Sequence, residues 1–238
     1  MSPQKIGFYS VMLQTKLNLL PHYYGKLARE NGIGYLEDSR GIRLPSVTSI
    51  LKSTKPPGEK AQLAKWRQKV GNFEANRIIQ ESKQRGILIH QQVKNYFLDE
   101  PIICSEFIKP YWHNLLPILE NIHNIRLIEA NLFNYYLGYA GRVDCVANYC
   151  NIPCVIEFKT AERIKPLYDE PLQLAAYWGA VNRQYGLRIN NALVIVTTPD
   201  EAIVHWLEPK DVMEKWHQWE KKANTFWPND GTNDKISP

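Results

Sequence analysis

Nowhere does the sequence reach the run of about 18 apolar residues that a membrane-spanning helix requires, so no transmembrane helix is expected. A secretory signal is missing as well, because MSPQKIGFYSVMLQTKLNLL has no compact apolar core ending in a small-residue cleavage site. Acids are absent from the first 29 residues, which carry Lys5, Lys16, Lys26 and Arg29. A transit peptide shares that trait, yet Arg and Ser are sparse here, and an organelle signal is not expected. Cysteine is limited to Cys104, Cys145, Cys150 and Cys154, with no C-x-x-C pair. That spacing argues for small apolar residues in a reducing compartment and against a cysteine-held metal or iron–sulfur cluster. Internal repeats and breaks in composition are lacking too. The 238 residues, 44% hydrophobic, therefore make one sizeable domain, or a domain with an elaborated N-terminal part.

What is present is a mild excess of positive charge, +5 with a pI near 8.9, which suits a polyanionic partner without requiring one. After a poorly patterned start over 1–40, Ile42, Leu44 and Val47 predict a short strand running into a Ser/Thr-capped turn and brief helix. Residues 59–98 are helical in composition, with Gly71 and Gly86 as interruptions, and predict three helices, the last starting near Gly86. A further helix is expected over Ile108–Ile122. A meander of antiparallel strands follows, beginning at Arg126–Asn134 and continuing through GYAGRVDCVANYCNIPCVIEFKT with a turn at Tyr149–Pro153. Pro171 and Gly186 frame the next helix. NNALVIVTT and Ala202–Leu207 read as strands, and Asp211–Trp227 as an amphipathic helix whose Trp216, Trp219 and Trp227 are expected to pack on the sheet. The tail, 228–238, is too polar to pack. The fold class is α/β (α+β) with a mixed sheet.

The chemistry lies in the last two strands of the meander. In a strand alternate residues share a face, so Glu157 and Lys159 point one way while Ile156 and Phe158 point the other. Pairing across the turn brings Asp144 beside Glu157, and two adjacent carboxylates repel unless a cation lies between them. Carboxylate oxygens suit Mg²⁺ or Mn²⁺, one ion or two. A lysine two residues beyond a ligand carboxylate lies within reach of a metal-bound water, which fits phosphodiester hydrolysis.

The pattern G-R-V-D, a short hairpin, then V-I-E-F-K-T resembles the signature of the PD-(D/E)xK nuclease superfamily, with Asp144 and Glu157 as metal ligands and Lys159 as the catalytic lysine. Gln173 and Tyr177, four apart on one helix face, are similar to the Q-x-x-x-Y pair of the RecB-like branch. Gly86 and His90 match its G-x-x-x-H, which implies His90 as a further metal ligand. Within that branch LPSVTSIL, the K-W-R at Lys65–Arg67, GYAGRVDCVA, EFKT and DEPLQLAAYWGAVN resemble the mitochondrial genome maintenance exonuclease family and its bacterial and phage relatives. Better-known members have Asp where this chain has Glu157. The resemblance covers about 43–227 and leaves the first forty residues outside.

The resemblance implies a restriction-endonuclease-like nuclease domain over 41–227: a helical arch with the His-bearing helix at 59–98, a catalytic sheet with the Q-x-x-x-Y helix at 126–207, and a C-terminal helix at 211–227. It implies an exonuclease that hydrolyses single-stranded DNA, or DNA with single-stranded ends, from a free end. The alternatives are a flap or branched-DNA endonuclease and a non-catalytic DNA-binding module. Lys60, Lys65, Arg67, Lys69, Arg77, Lys83 and Arg85, interleaved with Trp66 and Phe73, supply the charge and aromatic faces that sequence-tolerant strand binding needs. Expected nucleic-acid contacts are Ser46, Thr48, Lys65, Trp66, Arg67, Arg142 and Thr160. Ser46 and Thr48 would equally serve as helix caps. The expected setting is cytoplasmic in a bacterial or phage-like context, with a mitochondrial one as the alternative. A monomer suffices.

Overall fold

The computed structural model describes residues 17–227. The polar tail and the first sixteen residues lie outside the described residues. In chain order the elements are β1 (Lys26–Glu30), β2 (Ile33–Glu37), β3 (Arg43–Pro45), α1 (Val47–Ser53), α2 (Pro57–Val70), α3 (Asn72–Leu98) and α4 (Lys109–Leu119). Then come β4 (Ile122–Asn134), β5 (Tyr139–Tyr149), β6 (Ile152–Thr160), α5 (Glu170–Tyr185), β7 (Asn191–Thr197), β8 (Ala202–Leu207) and α6 (Pro209–Phe226).

The main sheet has the order β4-β5-β6-β7-β8, with β6 and β7 parallel and the other neighbours antiparallel. This is the expected mixed sheet and meander. The β5–β6 hairpin turns on Cys150 and Asn151 alone, at φ 46° and 68°. A two-residue turn with both φ positive matches the twist of its strands and fixes their register. Tyr149 therefore faces Ile152, and Cys145 faces Ile156. α5 carries the chain from β6 to the parallel β7, opening with Pro171 in its first turn and closing on Gly186 at φ 62°.

Helices cover both faces. On one side Val47, Ile50 and Leu51 of α1, Leu174, Tyr177 and Val181 of α5, and Trp219 of α6 pack on Leu127, Val143, Val155 and Val194. On the other, Ile89, Val93 and Phe97 of α3 and Trp112 and Leu115 of α4 pack on Ile128, Cys145, Ile156 and Ile195. A sheet buried on both sides has near-continuous apolar strands, so any charge within them stands out.

Four expectations need correction. Residues 26–37, read as unpatterned, form the hairpin β1–β2, which β3 extends to a small second sheet; Leu36 and Leu44 tuck under Phe133 and Ala140. Residues 59–98 fall in two helices, because Gly71, at φ 85°, breaks the run while Gly86 sits inside α3. Cys145 and Cys154 are buried apolar residues as expected, but Cys150 is exposed on the hairpin turn. Trp219 is buried and meets Tyr139 edge-on, whereas Trp227 is half exposed and donates to the Gly138 carbonyl.

Candidate active site

The site begins where the sheet changes phase. Ile128 and Cys145 face each other toward α3, and two residues on, Ala130 and Val143 face each other toward α5. Strict alternation would keep each pair of positions on one side. The register is unchanged across the step, so neither strand has gained a residue. Both instead turn over at the intervening positions, Glu129 and Asp144. Glu129 does so at φ 47°, a left-handed conformation that costs a non-glycine residue about 1–3 kcal/mol and recurs at functional sites. The turn brings its carboxylate and that of Asp144 to one place.

His90, on α3, completes the group. Its Nδ1 lies 3.1 Å from Glu129 Oε1 and 3.4 Å from Asp144 Oδ1, and its Nε2 donates to the Phe158 carbonyl at 3.1 Å. The second bond orients the ring so that Nδ1 faces the carboxylates, as outer hydrogen bonds do for metal-ligating histidines. One atom from each of His90, Glu129 and Asp144 lies within 4.8 Å of the others, a set that can hold a metal ion. Burial opposes charge on His90, but Asp144 and Glu129 outweigh it and push its pKa up to about 11.

Asp144 is 8% exposed, and its Oδ2 accepts the Phe158 N–H at 2.8 Å. The regular β5–β6 pairing ends at Cys145 and Ile156, one step short of Asp144 and Glu157, and the aspartate side chain takes the next backbone donor. Glu157 is 2% exposed. Its Oε1 accepts from Lys159 Nζ at 2.7 Å and from Gln173 Nε2 at 2.6 Å, while its Oε2 is buried without a hydrogen-bond partner. A buried carboxylate oxygen with no donor is costly, and a cation would satisfy it. Burial and then the Asp144 charge raise the Glu157 pKa to about 8, against the opposing pull of Lys159. Burial works against the Lys159 charge, but Glu157 and Asp144 prevail and hold its pKa above the ordinary lysine value.

Gln173 is the joint of this network. Its Oε1 accepts from Lys159 Nζ at 3.2 Å, and its Nε2 also lies 3.2 Å from the Tyr177 hydroxyl. Tyr177 is buried against Gly141, where a Cβ would sit 2.5 Å from the ring, so the residue before Arg142 must be bare. The structure thus joins His90, Asp144, Glu157, Lys159, Gln173 and Tyr177 in one network of contacts.

It does not place every expected residue there. Ser46 accepts from Ser49 N–H and, with Thr48 and Ser49, forms the α1 cap, although the Ser46–Ala140 bridge sets it two residues from Arg142. Arg142 pairs with Glu129 at 2.9 Å, and Thr160 lies beside Thr197 in the parallel ladder. Lys65, Trp66 and Arg67 lie on α2, whose packing is on α3; Arg67 bonds Asn76, and nothing among the described residues ties the three to the carboxylates. Glu129 is what the sequence reading missed. Its signal was a lone acid in the apolar strand RLIEANLFN, which hairpin pairing sets opposite Asp144.

No protein-family model matches the chain. It is 30% identical over 203 residues to "Mitochondrial genome maintenance exonuclease 1" of Xenopus tropicalis, across 74% of this chain and 55% of that protein. The same-named proteins of Mus musculus and Homo sapiens are 29% and 28% identical, with 74% and 76% of this chain matched against 56% and 60% of theirs. The chain thus spans little more than half the length of these relatives. The solved structure of SSO0001 matches 38% of this chain and 42% of that one at 22% identity, with a TM-score of 0.27, too little to bear on the fold. All three curated relatives are mitochondrial by name, which overturns the expectation of a cytoplasmic, bacterial or phage-like setting.

Proposed function

From a PD-(D/E)xK-type chain related to the mitochondrial genome maintenance exonucleases across three quarters of its length, we propose a metal-dependent nuclease acting on single-stranded DNA in a mitochondrial setting. The observation that carries this is the continuity of His90, Glu129 and Asp144 with the Glu157–Lys159–Gln173 network. One nitrogen among carboxylate oxygens fits Mg²⁺ or Mn²⁺, with nitrogen favouring the latter. His90 Nδ1, Glu129, Asp144 and the free oxygen of Glu157 would hold the ion. When bound, it polarises the phosphate and lowers the pKa of its water.

The chain's own groups do the rest. Lys159, about one third exposed, presents a positive charge at the mouth of the site, where negative charge develops on phosphate oxygens. Gln173 holds that ammonium through its carbonyl and is itself steadied by Tyr177. Arg142 and the basic face of α2 and α3 would carry the strand, the helices forming the arch. The main reading is cleavage from a free end by a monomer. The side opening of the cleft favours a second: Ile87 and Arg142 are 59% and 60% exposed, so a strand can lie across the site without an end, as in flap or branch cutting.

Cleavage of linear against circular single-stranded DNA with Mg²⁺ or Mn²⁺, with Lys159→Ala as the blank, tests both. Loss of the linear strand alone supports the exonuclease, and loss of both the endonuclease. Cleavage of neither, or cleavage unchanged in Lys159→Ala, removes the proposal.

A further inference from the structure

Gly86 sits in the interior of α3, where alanine is the better helix former. At Gly141 and Gly179 a missing side chain has a visible reason: a Cβ at Gly141 would lie 2.5 Å from Tyr177, and one at Gly179 2.0 Å from Trp216. At Gly86 a Cβ would meet nothing within 4 Å. No protein atom accounts for this glycine.

The position of the gap does. Gly86, Ile87, His90, Gln91 and Lys94 form one stripe of α3, four-residue steps on a single helical face. With Glu129 and Arg142 they wall a cleft of about 370 Å³ that ends at the candidate metal ligands. The adjoining stripe, Arg85, Ile89, Val93 and Phe97, is buried. The cleft has anion-seeking walls: Lys94 makes no ion pair with a described residue, and Arg142 meets Glu129 through Nε while its side chain stays largely exposed. Ile87 adds an exposed apolar surface. The volume is of the size that ligand clefts have, about 300–1,000 Å³.

We infer that this cleft seats the nucleotide next to the scissile phosphate, with its sugar and base against the bare backbone of Gly86 and the side chain of Ile87 and its phosphate on Lys94 and Arg142. The inference rests on the nuclease reading and deepens it. Gly86 lowers the helix surface so that a polynucleotide reaches His90 and the carboxylates, which makes it a specificity-determining residue that touches no ligand of the metal.

The test uses Gly86→Ala, Gly86→Leu and Lys94→Glu in the full chain. The glycine variants should melt no lower than the unmodified protein, since both introduce better helix formers into open space. Their Mn²⁺ affinity by calorimetry should be unchanged, while kcat/KM on a single-stranded oligonucleotide falls about tenfold for alanine and about 100-fold for leucine. Binding of fluorescent oligothymidylate, read without turnover in the Lys159→Ala background, should weaken in Gly86→Leu and Lys94→Glu, the latter with a shallower salt dependence. Unchanged binding and cleavage in all three overturns the inference. If the unmodified protein cuts nothing yet its binding still depends on Gly86 and Lys94, the seat stands and the nuclease reading falls.

Discussion

Glu157 shows how a buried acid advertises an absent partner. One oxygen is committed to Lys159 and Gln173, the other has no donor, and burial beside Asp144 keeps the carboxyl partly protonated near neutrality. His90 holds its proton even more firmly, because two carboxylates face it. A cation must displace these protons before it can take the lone pairs. Mn²⁺ affinity should therefore rise with pH through about 8, and calorimetry in buffers of different ionisation enthalpy should show proton release on binding. A pH-independent affinity with no released proton would mean that these groups do not ligate. Most of the site was legible at this scale because alternation in VIEFKT and four-residue spacing in QLAAY fix which side chains meet. Glu129 was not legible, since its place depends on a backbone turn-over at φ 47° that no local pattern announces.

At the scale of the element, α3 has to be held at one distance from β6 for His90 to reach the Phe158 carbonyl. Arg85 supplies a tie. It is 4% exposed, its guanidinium lies 4.8 Å over the Tyr111 ring, and it pairs with Glu162 just beyond β6. Its Nε has no partner, so Glu162 is most of what offsets the burial of this charge. Glu162→Ala should cost about 1–3 kcal/mol of unfolding free energy in urea denaturation and reduce cleavage through His90 placement. Unchanged stability would show that Tyr111 alone holds the cation. The helices flanked by strong punctuation were read correctly from sequence: Pro171 and Gly186 delimit α5. Gly86 misled the reading, because a glycine inside a helix is indistinguishable in sequence from a break when the reason for it lies outside the chain.

For the whole molecule, the candidate ligands come from three elements, α3, β4 and β5, with Glu157 on a fourth, β6. An ion bound there spans both the sheet and the helical layer above it, and anything that binds only the folded chain stabilises all of it. Mn²⁺ at about 100 times its Kd should add about 2.7 kcal/mol and raise the melting temperature, with the gain abolished by chelator and absent in Asp144→Ala. A melting curve indifferent to Mn²⁺ would remove the metal centre. The layered architecture was visible in the order of elements. The hairpin β1–β2 was not, because its strands are five residues long and mostly solvated, too short for alternation to show.

The backbone of Phe158 is gripped on both sides of its Cα, its N–H by Asp144 and its carbonyl by His90. Two candidate metal ligands thus hold the two successive peptide units that flank one residue. The Phe158 amide is a built-in gauge of occupancy: its ¹⁵N resonance should track the fraction of sites filled during a titration with diamagnetic Mg²⁺, at a residue whose own side chain takes no part in the chemistry.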